Sequence, residues 1–379
     1  MSFSLMNLDI AAQFAVPQGM YLLSHSVGCL SHQARHVLNE RYLNPWQQHG
    51  GEAWPLWLGI IDDFCHELGG VLGVDAKDIC PQQNVSSALT KYLMSMPVKA
   101  HKNVILMHAS AFPSLGFVAK RLEQQGYRFE LIPENQHPRD CDVWADKINH
   151  HTAIVLITHV HSNSGIKSPV ADIAKLAKAQ NAKVVVDIAQ SVGVVPIDIT
   201  QWQVDCVLGS CVKWLCGGPG AGFIWLESAQ LSELQPIDVG WFSHANPFEF
   251  DIEHFVYAND AKRFWGGTPN VASYATALGS LQQLKKIGIE QIAKHNFQLR
   301  EKVYQAAQPL LLSQHKLKEE GGTLCLDFKP AALLAVIEDL TALNAHYDQR
   351  AGVLRLSFHI YNTALQATEL VETLKKLRM

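Results

Sequence analysis

The stretch "AKVVVDIAQSVGVVPIDI", residues 182–199, runs three valines into a carboxylate and then into a polar turn. A short apolar run without polar alternation reads as a strand buried on both faces, with Asp187 as its last residue. A second stretch, "CVLGSCVKWLCGGPGAGFIWL" (206–226), places Lys213 in mostly apolar surroundings, 26 residues after Asp187. Each is an expensive residue to bury unless something meets its charge. In open α/β sheets, ligands bind outside the carboxyl ends of the strands. Asp187 and Ser210 both end strands and Lys213 follows on the next loop, so all three are expected at one rim.

Outward from this pair, short apolar runs recur. They are "NVILM" (103–107), "AIVLIT" (153–158), "KVVVD" (183–187), "DCVLGS" (205–210) and "GFIWL" (222–226). Between them lie amphipathic helical patterns such as "SPVADIAKLAKAQNA" (168–182). The alternation predicts an α/β fold around a mostly parallel sheet covered on both faces. Beyond "GTPNVASYATALGS" the pattern becomes long helix. It then reads "GGTLCLDF", "AALLAVIEDLTAL", "VLRLSFHI" and "ALQATELVETLKKL", as in a separate small α/β unit. The expected division is an amino-terminal arm and large domain over 1–280 and a small domain over 281–379.

The chain has 379 residues, 48% hydrophobic and 17% charged, with a net charge of −4. That composition fits a compact enzyme-like protein and provides no field to recruit nucleic acid or an anionic membrane. No basic amino terminus precedes an apolar run and no apolar run reaches about 18 residues, so neither a secretory signal nor a membrane span is expected. Eight scattered cysteines read as reduced thiols of a cytoplasmic protein. Cys206, Cys211 and Cys216 are five apart, unlike a zinc knuckle. His159 and His161 have no acidic or cysteine partner nearby in sequence, and no metal is expected.

The rim carries a further feature. "QNVSSALTKYL" (83–93) begins a helix after a polar turn, so the amides of Val85 and Ser86 are open to an anion such as phosphate. "GGPGAG" (217–222) makes a tight return into the next strand. A carboxylate, an amine and a phosphate cradle are the set required by pyridoxal 5'-phosphate. A lysine forms a Schiff base with its aldehyde, and a carboxylate keeps its ring nitrogen protonated.

These motifs resemble those of the class V aminotransferase superfamily of fold-type I pyridoxal phosphate enzymes, over nearly the whole chain. "D-x-A-Q-x-x-G" at 187–193 looks like the cysteine desulfurase form of the ring-binding motif. The resemblance implies that Asp187 pairs with the ring nitrogen and that Gln190 bonds the ring hydroxyl. "S-x-x-K" matches the phosphate serine, Ser210, and the Schiff-base lysine, Lys213. "GGTPN" (266–270) matches a loop whose threonine, here Thr268, reaches the phosphate of a neighbouring subunit, which implies a homodimer. "RLSFHIYNT" (355–363) matches "R-x-S-x-x-x-Y-N-T", whose arginine, here Arg355, grips the substrate carboxylate with a two-pronged fork.

The implied architecture is a large domain with a mostly parallel seven-stranded sheet plus a small carboxy-terminal α/β domain. Within the superfamily, "GWFSHANPFEFD" (240–251), "RFWGGTP", "HASAFPS", "GGEAWPLW" (50–57) and "YLLSHSVG" (21–28) resemble kynureninase. By that comparison Phe112 stacks on the cofactor ring, Trp241 lies beside the phosphate, and His25 and Ser26 lie near the substrate. Other readings stay open for several residues. Asp187 could cap its turn, Arg355 could point outward, and Phe112 could pack in the core with His108 stacking instead. His25 and Ser26 could be turn residues, Trp241 could pack at an interface, and Asn163 could serve turn chemistry or touch the cofactor.

The departures are as informative. Val212 stands where kynureninase has tyrosine and cysteine desulfurases have histidine. Gln190 stands where kynureninase has histidine, and Leu115 where it has an acidic residue. No cysteine occurs between Asp327 and Leu354, where desulfurases carry their reactive thiol. The expectation is an enzyme acting on an α-amino acid and cleaving at Cβ as lyase or hydrolase. The alternatives are transamination, or a weakly active cofactor-binding protein with a structural or regulatory role.

Overall fold

The computed structural model describes residues 10–377, so the first nine residues of the expected arm lie outside the described part. Its centre is a seven-stranded sheet built from β1 (Ile79–Gln82), β2 (Val104–His108), β3 (Arg128–Ile132), β4 (Thr152–Thr158), β5 (Lys183–Asp187), β6 (Cys206–Ser210) and β7 (Gly222–Leu226). The order across the sheet is β1-β7-β6-β5-β4-β2-β3. All neighbouring pairs are parallel except those of β7, which runs antiparallel to both β1 and β6. The expected fold is the observed one. The five strands anticipated from apolar runs are present, and β1 and β3 are the two those runs missed. β3, "RFELI", lies at the sheet edge with Arg128 and Leu131 exposed, so it lacks the continuous apolar run of a central strand.

The valines of β5 show why its sequence does not alternate. Val184 and Val186 enter the core on one face with helices α1 (Trp54–Leu72), α4 (Val170–Ala179) and α5 (Val271–Ile287). Val185 enters the core on the other face with α2 (Val85–Met94) and α3 (Pro113–Arg121). Both faces are dry, so every position between the strand ends favours an apolar side chain.

A second, three-stranded antiparallel sheet is formed by β8 (Thr323–Leu326), β9 (Asp348–Arg350) and β10 (Val353–Ser357), with β10 central. Helices α6 (Ile289–Ala307), α7 (Pro330–Ala342) and α8 (Ala364–Lys376) pack on it around a third apolar core. Met20 and Leu22 belong to that core, and Met20–Tyr21 pairs in parallel with Ala345–His346. The amino-terminal segment therefore ties itself to the carboxy-terminal unit. Residue 280 lies inside α5, and the chain turns at Gly288, whose φ of 95° is open to glycine.

Candidate active site

β4, β5 and β6 end side by side, and their last residues Thr158, Asp187 and Ser210 all line one cavity of about 300 Å³. The amino end of α2 closes another side through Asn84, Val85 and Ser86, and the start of α3 adds Phe112, Ser114 and Leu115. Gln190, Val212 and Lys213 complete the wall. A larger cleft of about 710 Å³, lined by His137, Asn163, His315 and Glu320 among others, contains neither Asp187 nor Lys213.

Local chemistry explains how each group is held. Asn84 Oδ1 accepts the amide of Ser87 at 2.9 Å and caps α2. The amides of Val85 and Ser86 stand ahead of the first intrahelical bonds, at the positive end of the helix. Asp187 Oδ1 accepts the Ala189 amide at 2.9 Å. Gly193, the last residue of "D-x-A-Q-x-x-G", has φ 98°, and a Cβ there would lie 2.9 Å from the carbonyl of Trp214. Glycine lets the Asp187 turn lie against the Lys213 loop. Gly28 does the same from the amino-terminal segment. Its amide donates to the Val212 carbonyl at 2.9 Å, and a Cβ would meet the Lys213 carbonyl at 2.1 Å.

The electrostatics of the pair are those of groups awaiting a partner. Burial pushes Lys213 below its ordinary value; Asp187 opposes the shift, and the guanidiniums of Arg355 and Arg350 reinforce it. Burial pushes Asp187 up, against the Ala189 amide and Lys213. Two buried polar atoms on this wall, Thr158 Oγ1 and Gln190 Oε1, have no hydrogen-bond partner in the chain. Such orphans are costly in a finished core and point to a polar ligand.

The other anticipated residues divide into two groups. Phe112 is 41% exposed, lines the cavity, and has Lys213 Nζ 5.7 Å from its ring centroid. His108 is buried, with its two ring nitrogens at Gln136 O and Ser110 Oγ. Gln190 Nε2 donates to the carbonyl of His25 at 3.1 Å. His25 is buried, its Nδ1 2.8 Å from Ser357 Oγ, whereas Ser26 is exposed. Arg355 is buried beside the cavity loop, donating to the Ser162 carbonyl at 2.9 Å.

Trp241 and Thr268 do not line this cavity within the single chain. Trp241 packs among Trp54, Phe242, Phe248 and Phe250, and Thr268 is exposed beside Gln83, Lys91 and Asp238. Asn163 lies in the larger cleft, its Oδ1 accepting from Arg350 at 3.1 Å. His159 and His161 are turned to the hydroxyls of Ser191, Ser110 and Ser168. Sequence reasoning missed Thr158, Asn84 and Asp348. The run of Asn84 before an amphipathic helix was a readable N-cap signal.

Residues 71–370 match the aminotransferase class-V family. The chain belongs to it. This class-V chain is 25% identical over 316 residues to the uncharacterized aminotransferase YcbU of Bacillus subtilis (strain 168), covering 83% of the chain and 82% of YcbU. It is 24% identical over 382 residues to the kynureninase of Shouchella clausii (strain KSM-K16), covering 94% and 87% respectively. Its fold is that of a C-DES mutant solved with glycine covalently linked to its PLP cofactor. The TM-score is 0.85 at 20% identity, over 96% of this chain and 98% of the other. The family's cofactor is pyridoxal phosphate, and the orphaned polar atoms, the open helix end and the Asp187–Lys213 pair fit it. No helix among the described residues is long and apolar enough to cross a membrane.

Proposed function

We propose that this class-V chain is a pyridoxal phosphate enzyme that acts on an α-amino acid and cleaves it at Cβ, as a lyase or hydrolase of kynureninase type. The observation that carries the reading is that Lys213, Asp187 and the open amides of α2 meet in one cavity. The cofactor, when bound, supplies an aldehyde for covalent attachment and a ring that accepts electrons. Lys213 Nζ is the attachment point, and its depressed basicity favours the neutral amine needed both for attachment and for taking the proton from the substrate's Cα. The amides of Val85 and Ser86, with Ser210, hold the phosphate. Asp187 would pair with the ring nitrogen, a cation that would restore the ionised carboxylate burial alone disfavours. Gln190 Oε1 and Thr158 Oγ1 would supply polar contacts to the cofactor, and Phe112 would stack on its ring. Arg355 holds the substrate's carboxylate, with His25 and Ser26 on the same side.

Thr268 acts from a second copy of the chain in a homodimer located in the cytoplasm, and Trp241 contacts the cofactor phosphate. Transamination is the competing reading, favoured by the aminotransferase named among the relatives. The purified protein should be yellow, and borohydride should fix the cofactor on the peptide containing Lys213. Labelling of another lysine, or of none, sinks the assignment. Product analysis of an amino-acid panel with and without pyruvate then separates the reactions. Turnover that requires pyruvate identifies a transaminase, turnover without it a lyase or hydrolase, and no turnover a binding protein.

A further inference from the structure

The arginine assigned to the substrate carboxylate already holds a carboxylate of its own chain. Arg355 on β10 and Asp348 on β9 are direct partners across an antiparallel pair, so their side chains share one face. Arg355 Nε donates to Asp348 Oδ1 at 2.6 Å, and Nη2 donates to Oδ2, in the two-pronged geometry a substrate carboxylate would use. The third nitrogen, Nη1, donates to the Ser162 carbonyl at 2.9 Å. Arg355 is 3% exposed, whereas the Asp348 side chain is 33% exposed. Thus the cation is fixed while its partner can swing into water. His25 Nε2 lies 3.4 Å from the same Oδ1.

Resting on the amino-acid reading above, we propose that Asp348 is a specificity-determining residue: an internal carboxylate that occupies the Arg355 fork and must be displaced by the substrate's own. The exchange trades one carboxylate for another on the same guanidinium, so it leaves no buried charge unpaired. Its effect is to scale affinity by the fraction of molecules with an open fork. The displaced Asp348 remains at the mouth of the site as an anion. It repels an acidic side chain and welcomes one with a positive charge or a hydrogen-bond donor. The substrate class that follows is an α-amino acid with a neutral donor-bearing or cationic side chain, and not a dicarboxylic one. Arg350, also on β9, is exposed and bonded to Asn163, and is the other guanidinium that could take an anion near Lys213.

The probe is propionate, a carboxylate without an amine, titrated calorimetrically into the holoenzyme. Asp348→Ser and Asp348→Asn should each tighten propionate binding about tenfold or more, and Arg355→Gln should abolish it. Having both substitutions keeps the test alive if one protein fails to fold. In parallel, L-glutamate, L-glutamine and L-lysine are titrated while the cofactor absorbance is followed. The wild type should prefer glutamine and lysine to glutamate by about tenfold, and Asp348→Ser should reduce that preference below about threefold. Unchanged propionate affinity in both Asp348 variants overturns the proposal. So does loss of binding in Arg350→Gln with retention in Arg355→Gln. If propionate behaves as expected but no amino acid perturbs the absorbance of any variant, Asp348 does guard the fork and the amino-acid reading fails instead.

Discussion

Lys213 and Asp187 influence each other across the cavity, and the sign of that influence is testable without cofactor. Burial lowers the lysine and Asp187 raises it, so removing the aspartate's charge removes an opposing support. In the apoprotein, Asp187→Asn should make Lys213 react with an amine-acylating reagent at lower pH than in the wild type, because the neutral amine appears earlier as pH rises. A midpoint that stays put or moves upward, read by peptide mass spectrometry across a pH series, contradicts the coupling. Val212 sits on the same wall and has no proton to give. General acid–base help is worth about 10²–10⁴ in rate. L-kynurenine should therefore be a poor substrate, and Val212→Tyr should speed its cleavage. Steady-state efficiency on kynurenine above about 10⁴ M⁻¹s⁻¹ in the wild type would show that another group supplies the proton.

In the proposed function, helix α2 is the element that holds the phosphate. Its cap, Asn84, satisfies Ser87 and leaves the two preceding amides to the ligand. Asn84→Ala should cost about 0.5–2 kcal/mol of stability, measured by urea denaturation, and should weaken cofactor retention during dialysis. Lost stability with unchanged retention would mean that the amides do not hold the phosphate. In the same reading, the β9–β10 hairpin is the corresponding element on the substrate side. It places Asp348, Arg350 and Arg355 on one face through the two-residue repeat of a strand. We propose that the two units divide at the Gly288 turn, where the chain passes from the cores around the large sheet towards the third core.

At the scale of the whole molecule, the exposed "GGTPN" loop bears on assembly. Thr268 is exposed and does not line the cavity of its own chain. In the homodimer we propose, this loop reaches the neighbour's phosphate, so the holoenzyme should sediment as a dimer. Thr268→Ala should lower cofactor affinity without changing the cavity's own lining. A stable monomer that retains cofactor in sedimentation would contradict both expectations.

Sequence alone determined the sheet's character and the rim of the site, since both depend on short-range pattern. Three valines ending on Asp187 require a strand dry on both faces. A lysine between apolar residues and a glycine-rich return requires a loop at that strand end. Even Gly193 was legible as part of a motif, although only the 2.9 Å approach to Trp214 shows why no side chain fits there. The tertiary structure decided what lies between distant segments. It paired Arg355 with Asp348, joined Gln190 to the backbone of His25, left Thr158 Oγ1 without a partner, and kept Trp241 and Thr268 out of the single-chain cavity. Periodicity tells which face a side chain takes along its own strand. It does not tell which charge stands across the next one, and there the arginine's true occupant was found.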